Sequence, residues 1–287
     1  MKKISIKAPA KLNLGLRITG LREDGFHSLE SVFSKITLSD KITVSLDPSV
    51  SGISLRCSGI PSPQNNSNLA WKAAQLFMDE AGMENLEGIR ITLHKNIPSP
   101  GGLGGGSSDA AAVLLALMKL TDIEIDLGPM GEQLGSDVPF FLLPEQAAFV
   151  TGRGEILTPV HLPHFHCVLV HSGENVPTPM AFKLWDEHSG DLTEACPISN
   201  YTALNFGVWH EGKPFPVKLD NHFLTLLHSR HPGMARTAEE LSRLTDSWGL
   251  SGSGPTFYTL FRSEAEAKEA EEHLTGKFPW VFRCQSG

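Results

Sequence analysis

Residues 98 to 112, PSPGGLGGGSSDAAA, set glycines at 101, 102, 104, 105 and 106 and serines at 107 and 108 directly before a run of small residues. This composition suits the holding of a phosphate. Glycine reaches positive φ angles and lets a backbone approach a ligand with no Cβ in the way. Ser107 and Ser108 add hydroxyl donors, and the stretch from Asp109 to Leu120 (DAAAVLLALMKL) is rich in helix formers. Its unpaired N-terminal amides and positive dipole end would face an anion in the loop. The loop fits neither common nucleotide signature. A P-loop needs a lysine after its last glycine, where Ser107 stands, and a dinucleotide fingerprint counted from Gly104 also ends on Ser107. A flexible linker would be the plainer reading. Linkers, however, are not flanked by a strand-like run (Gly88 to His94, GIRITLH) and a long apolar helix.

Three further segments could carry chemistry. In Ala8-Pro-Ala-Lys-Leu-Asn-Leu-Gly-Leu, Lys11 and Asn13 fall on one side of an extended chain and Leu12 and Leu14 on the other. Such a pair suits a site, and equally an ordinary half-exposed strand. Leu250-Ser-Gly-Ser-Gly-Pro-Thr-Phe supplies a second loop, Ser251, Gly252, Ser253 and Gly254, which a tight turn explains equally well. Asp137, with Pro139 and Phe140 behind it, reads as the N-cap of a short helix; the amides it accepts would hold the carboxylate rigid and ionised. Arg153, in Gly152-Arg-Gly-Glu, reads as a turn residue.

The elements that position these residues follow from periodicity. Ile4 to Ile18, Ser34 to Leu38, Lys41 to Leu46, Ile53 to Cys57 and Gly88 to Lys95 predict strands, with antiparallel pairing expected. Leu69 to Ala81 predicts a helix capped by Ser67 or Asn68 and ended by Gly82. A short helical piece leads to Gly135-Ser-Asp-Val-Pro-Phe-Phe. After Val150 the pattern predicts a strand over Cys167 to His171, a Pro-rich loop, and helices over Asn221 to Ser229 and Met234 to Trp248. A strand over Thr256 to Phe261, a helix from a Ser263-x-x-Glu266 capping box and a strand over Trp280 to Cys284 complete it. Gly190 to Pro216 has weak periodicity and reads as a surface insertion. The expected division is 1–152, an ATP-binding part, and 153–287, a part completing the substrate site, with the ligand cleft between the halves.

Composition narrows the class. The chain has 287 residues, 40% hydrophobic and 20% charged, with a net charge of −8. That charge excludes broad electrostatic binding to nucleic acid or an anionic membrane, so an anionic ligand must be held locally. No stretch approaches 18 uninterrupted apolar residues, and MKKISIKAPAKLNLGL lacks a secretory apolar block, so a cytoplasmic protein is expected. Cys57, Cys167, Cys196 and Cys284 lack C-x-x-C spacing and read as reduced thiols. His161, His164 and His166 show no helical H-x-x-x-H pair, and no metal site is expected of them.

APAKLNLGL, PSPGGLGGGSSDAAA and LSGSGPTF together, in this order, resemble the kinases of the galactokinase, homoserine kinase, mevalonate kinase and phosphomevalonate kinase (GHMP) superfamily. PAKLNLGLRITGLREDGFHSLESVF, the doubled serine, GSDVPFFL, and GRGEILTPV followed by VPTPMAF look most like its branch acting on a cytidine diphosphate compound. The resemblance implies an α+β, two-domain fold. Its N-terminal domain would be ribosomal-protein-like with a mixed, mostly antiparallel sheet, and its C-terminal domain ferredoxin-like. The implied reaction is ATP-dependent phosphorylation of the 2-hydroxyl of 4-diphosphocytidyl-2-C-methyl-D-erythritol, in non-mevalonate isoprenoid precursor biosynthesis, with Mg²⁺.

By the same resemblance, Asp137 matches the base and Lys11 its charge partner, while Asn13 lines the acceptor pocket. His27 matches the residue that reads the cytosine, and Phe26 and Phe182 match the aromatics that sandwich it. Asn68, Lys95, Pro98, Gly101, Gly102, Leu103, Gly104, Gly105, Gly106, Ser107 and Ser108 match ATP-binding positions. Two departures stand out: Phe26 where a tyrosine is common, and Pro100 where a small residue is usual. The metal ligands are open, with Ser108 a candidate. The expected partner is a small molecule rather than nucleic acid or membrane, and the expected assembly a monomer or weak homodimer.

Overall fold

The computed structural model describes residues 2–82, 88–188 and 220–287. The segment 190–216 and Cys196 therefore lie outside the described residues. Two compact units interleave along the chain. One holds Met1–Lys11, Leu38–Ser99 and Gly104–Pro144, the other Leu12–Thr37, Pro100–Leu103 and Glu145–Gly287.

The first unit takes part of β1 (Lys3–Leu21) and the C-terminal half of β2 (His27–Asp47). With them go β3 (Ile53–Gly59), α1 (Leu69–Glu80), β4 (Gly88–Lys95), α2 (Gly105–Thr121), α3 (Leu127–Leu134) and α4 (Val138–Leu142). β2 pairs antiparallel with β4, Lys41 opposite His94 through Asp47 opposite Gly88. β3 runs parallel to β4, Ile53 opposite Ile89, which corrects the antiparallel expectation. The physical reason is the connection: α1 lies between β3 and β4 in sequence, and a helical crossover returns the chain in the same direction. The two expected runs at 34–38 and 41–46 are one strand, β2.

α1 starts where expected, with Asn68 Oδ1 accepting from the Ala70 amide at 2.9 Å. α2 starts at Gly105, four residues before the expected Asp109, because Gly104 turns the chain at φ 68° as its N-cap. Ser107 and Ser108 thus belong to the helix. α1 and α2 pack on each other, and Ala70, Ala73, Ala74, Phe77, Ala110, Val113 and Leu114 on these helices are fully buried. Burying each of the larger side chains contributes about 1.5–3 kcal/mol.

In the second unit β5 (Ala147–Thr151) pairs antiparallel with the N-terminal half of β2, Ser31 opposite Val150, and β6 (Ile156–Pro159) pairs with β5. Then come β7 (His166–His171), α5 (Thr178–His188), α6 (His222–His228), α7 (Pro232–Ser242), β8 (Trp248–Leu250), β9 (Thr256–Phe261), α8 (Glu264–Leu274) and β10 (Trp280–Gln285). The sheet order β10-β7-β9-β8, antiparallel throughout, gives the β-α-β-β-α-β arrangement of ferredoxin-like folds. Val168, Val170, Phe223, Leu227, Leu250 and Phe257 fill the core beneath it.

Met234 to Trp248 is not one helix. α7 stops at Ser242, the Ser247 amide donates to Thr245 Oγ1 at 3.1 Å, and the chain turns into β8. The capping box at α8 is present as read, Ser263 and Glu266 each closing on the other's backbone. Cys167 and Cys284 face each other across β7 and β10 as free thiols, Sγ to Sγ 3.2 Å. Among the described residues no group of His, Cys, Asp or Glu is arranged to hold a metal. None of the described helices is long and apolar enough to cross a membrane.

Candidate active site

Lys11 and Asp137 meet in the first unit. From Ala8 to Leu16, β1 is buried on both faces, with Pro9 alone half-buried; Lys11 is 3% exposed, so the half-exposed strand is excluded. Its Nζ stands 3.6 Å from Asp137 Oδ2. Asp137 is the positional N-cap of α4, with proline in the first turn behind it, yet its side chain makes no capping hydrogen bond. The expectation that helix amides hold this carboxylate is therefore corrected. The φ-fixed proline starts the helix, and the carboxylate is turned to Lys11 instead. Burial pushes the Lys11 ammonium below the usual lysine range, and the charge and hydrogen bond of Asp137 only partly oppose it.

The glycine loop lies against this pair. A Cβ placed on Gly104 would sit 3.1 Å from Lys11 Cγ and 2.9 Å from Phe141 Cζ. Only glycine satisfies both the positive φ and the close approach. Lys11 therefore runs directly beside the N-terminus of α2, where an anion would gain from the free amides. Ser108 Oγ, at the same helix start, is buried without a hydrogen-bond partner among the described residues.

Lys95 occupies a second charged cluster in this unit. Its Nζ donates to Asp109 Oδ2 at 2.7 Å and to Asp40 Oδ2. Asp40 Oδ1 also accepts from the Asn96 and Ile97 amides at 2.6 and 2.9 Å. A Cβ on Gly105 would lie 3.3 Å from Lys95 Nζ, which places the ammonium under the first turn of α2. Burial would lower the Lys95 pKa, but Asp109 and Asp40 outweigh it and hold it above the usual value. Two carboxylates share one ammonium here, so burial, with the like charge of Asp40 added, pushes Asp109 up to about 7 against the pull of Lys95.

The second unit holds the other glycine loop. Ser251 Oγ donates to the Gly102 carbonyl at 2.8 Å and accepts from the Asn13 amide at 3.2 Å. Asn13 Nδ2 donates to Ser31 Oγ at 3.1 Å, and Tyr258 Oη donates to the Asn13 carbonyl at 2.8 Å. A Cβ on Gly102, at φ 70°, would collide with the Ser251 carbonyl, and Gly252 lies against Gly102 in turn. Ser253 Oγ pairs with Thr178 Oγ1 at 3.0 Å. The tight turn is real, and it also fixes residues 100–103.

His27 opens β2 and is 8% exposed. Its ring stacks on Phe182 of α5, centroids 4.8 Å apart at 22°, and its Nε2 lies 2.6 Å from Asp186 Oδ1. Phe182 is braced edge-on by the buried Phe223 at 4.9 Å. Phe26 is 50% exposed and carries the Arg153 guanidinium 5.1 Å above its ring, Arg153 sitting in the turn expected of it. Asn68 spends its side chain on capping α1 through Oδ1 and on the preceding loop, donating from Nδ2 to the Pro63 carbonyl at 2.8 Å. Pro98 and Gly101 to Gly104 lie in the loop, Gly105 and Gly106 open α2 instead of preceding it, and Leu103 is buried.

Sequence reasoning missed Asp40, Asp186, Ser31 and Tyr258. Each becomes visible only through a partner distant in the chain, and no local spacing marks it. Asp109 stands in the helix-forming stretch, and the signal that could mark it is that it is the one acid in α2.

Comparison with known proteins identifies the family. The GHMP kinases N terminal domain matches residues 68–145, and the GHMP kinases C terminal domain matches residues 219–279. A 4-diphosphocytidyl-2-C-methyl-D-erythritol kinase of Chlorobium phaeobacteroides (strain BS1) is 37% identical, covering 97% of this chain and 96% of its own. A kinase of the same name from Deinococcus radiodurans is also 37% identical, over 97% of this chain and 91% of its own. A crystal structure of 4-(cytidine 5'-diphospho)-2C-methyl-D-erythritol kinase superposes with a TM-score of 0.83 at 34% identity, covering 99% of each chain. The mevalonate kinase of Methanococcus jannaschii, at a TM-score of 0.72 and 16% identity, shares the fold.

Proposed function

Because the chain belongs to the 4-diphosphocytidyl-2-C-methyl-D-erythritol kinase family of GHMP small-molecule kinases, we propose that it phosphorylates the 2-hydroxyl of that cytidine compound, using ATP. The step belongs to isoprenoid precursor biosynthesis by the non-mevalonate route. The observation that carries the chemistry is the Lys11–Asp137 pair at 3.6 Å, with Lys11 pressed against Gly104 at the N-terminus of α2.

Asp137, with no capping bond to satisfy, accepts the proton of the substrate hydroxyl. The oxygen attacks the γ-phosphorus, the bond to the β–γ bridging oxygen breaks, and ADP leaves with that oxygen. Lys11 holds the carboxylate in place and offsets charge on the transferred group. The amides of Gly104 to Ser107 and the rest of the glycine loop take the phosphates. The unpartnered Ser108 Oγ suits a hard cation, so Ser108 and the phosphate oxygens would hold Mg²⁺, which supplies charge neutralisation when bound. His27 and Phe182, with Phe26 nearby in sequence, engage the cytosine, and binding at this non-reacting end supports turnover at the other.

The test is an acceptor panel. Purified protein with ATP and Mg²⁺ is given the cytidine compound, mevalonate, homoserine or galactose, and ADP release is followed with phosphorus NMR of the product. Phosphorylation of the cytidine compound alone is expected. Equal or faster turnover of another acceptor would overturn the assignment.

A further inference from the structure

His27 is gripped by one face of α5. Phe182 and Asp186 stand four residues apart on that helix, one turn, so both side chains reach the same neighbour. Phe182 fixes the plane of the imidazole by stacking at 4.8 Å, and Asp186 fixes its rotation by the 2.6 Å contact to Nε2. The support continues inward. Phe223 braces Phe182, and Trp185, between the two gripping residues, stacks on His222 at 4.6 Å and 12°. His222 Nδ1 in turn accepts the Ile18 amide of β1 at 3.1 Å. α5 is thus tied to the core at the level of the grip.

Resting on the cytidine reading above, we infer that Asp186 is the residue that sets base specificity, by dictating which face of the His27 hydrogen-bonding pattern a ligand meets. An ionised carboxylate only accepts, so the ring nitrogen against it, Nε2, must carry a proton. In the neutral ring Nδ1 is then the acceptor, and His27 has no other hydrogen-bond partner among the described residues. An acceptor in that position attracts an exocyclic amine and repels a carbonyl. Cytosine and uracil differ there: the amino group at ring position 4 of cytosine is a carbonyl in uracil. Without Asp186 the proton moves freely between the nitrogens, and a ring with Nδ1–H and an accepting Nε2 no longer excludes the carbonyl. Asp186 is a positioning residue. It acts through His27 and does not touch the reacting atoms.

The experiment uses the whole enzyme with the cytidine substrate and its uridine counterpart. For Asp186→Ala, kcat/KM for the cytidine substrate should fall between about ten- and hundredfold, the loss of one hydrogen bond to a charged group, and should fall through KM with kcat little changed. The preference for cytidine over uridine should fall by a similar factor, and Asp186→Glu should recover part of it. A merely structural role would weaken both substrates together and leave the ratio alone; an unchanged ratio in Asp186→Ala overturns the inference.

A second readout does not depend on turnover. Nitrogen NMR of the labelled His27 ring should show protonated Nε2 in the parent enzyme and a mixture of tautomers in Asp186→Ala. The same tautomer distribution in both would overturn the inference even if catalysis changed. If the parent enzyme takes neither nucleotide compound, the proposed function fails. A tautomer that still shifts would then show that the grip is real and that the ligand class was misread.

Discussion

The first unit contains two buried lysines that meet carboxylates, and they behave in opposite ways. Lys95 is shared by Asp40 and Asp109, and its charge is held above the usual range. Lys11 faces Asp137 at 3.6 Å, and burial wins over that partner, so its charge is held less firmly than in water. One cluster has more negative charge than its cation needs and is closed around it. The other keeps a cation at a cost, beside a helix start that would welcome an anion. A buried ammonium whose pKa is lowered lacks compensation that a phosphate can supply. The contrast is one of charge balance between two pairs built from the same residue types.

The largest effect that would break this contrast is at the carboxylate of the first pair. Asp137→Asn should lower kcat by about a thousandfold or more while leaving ATP binding near its parent value, read by single-turnover assay and nucleotide titration. An active Asp137→Asn enzyme would move the base elsewhere. Next comes Lys95→Met, which leaves two buried carboxylates without their cation and should cost about 3–5 kcal/mol of stability in urea unfolding. Lys11→Met removes a charge that burial already disfavours. It should lose far less stability than Lys95→Met, yet lose most turnover; equal destabilisation of the two variants would erase the distinction.

Titration sharpens the same comparison. The Lys11 pKa lies below its ordinary 10.5, so its charge is lost as pH rises through that lowered value. The alkaline limb of the kcat profile should therefore fall at a lower pH than a free lysine would give, and Lys11→Arg, if active, should move the limb upward. For Asp109, raised to about 7 from an ordinary 3.8, the folded state binds the extra proton. Its contribution to stability is complete below about 4, declines as pH rises towards 7, and is gone above. Asp109→Asn should flatten that slope in melting temperature against pH. The smallest expected change is Ser251→Ala, which forfeits hydrogen bonds to Gly102 and Asn13 worth about 0.5–1.5 kcal/mol each.

What could be read from sequence was what is local. The Asn68 cap, the capping box at Ser263 and the central strands of the second sheet are dictated by neighbours in the chain and stand where expected, whereas Gly102 and Gly104 answer to the distant Ser251, Lys11 and Phe141. The resemblance carried the fold class. Direction of pairing was less legible, since alternation in Ile53 to Cys57 is the same whether β3 runs parallel or antiparallel to β4. β5, with two alanines among five residues, and α5, opening behind a proline-rich stretch, lack a strong period. The electrostatics were least legible. Nothing near Asp40 in sequence announces Lys95, and nothing near Asp137 shows that its carboxylate turns from the helix to β1.

Gly102 has a consequence for anyone who would redesign the loop. Its missing side chain is required by the carbonyl of Ser251, a protein neighbour, whatever the loop holds. A library randomised over residues 101 to 106 and selected for a new phosphate donor should thus return glycine at 102 from every selection. Diversity at that position would open only if residues 251 to 254 were varied in the same clones, so the two loops are heritable as one unit rather than as two motifs.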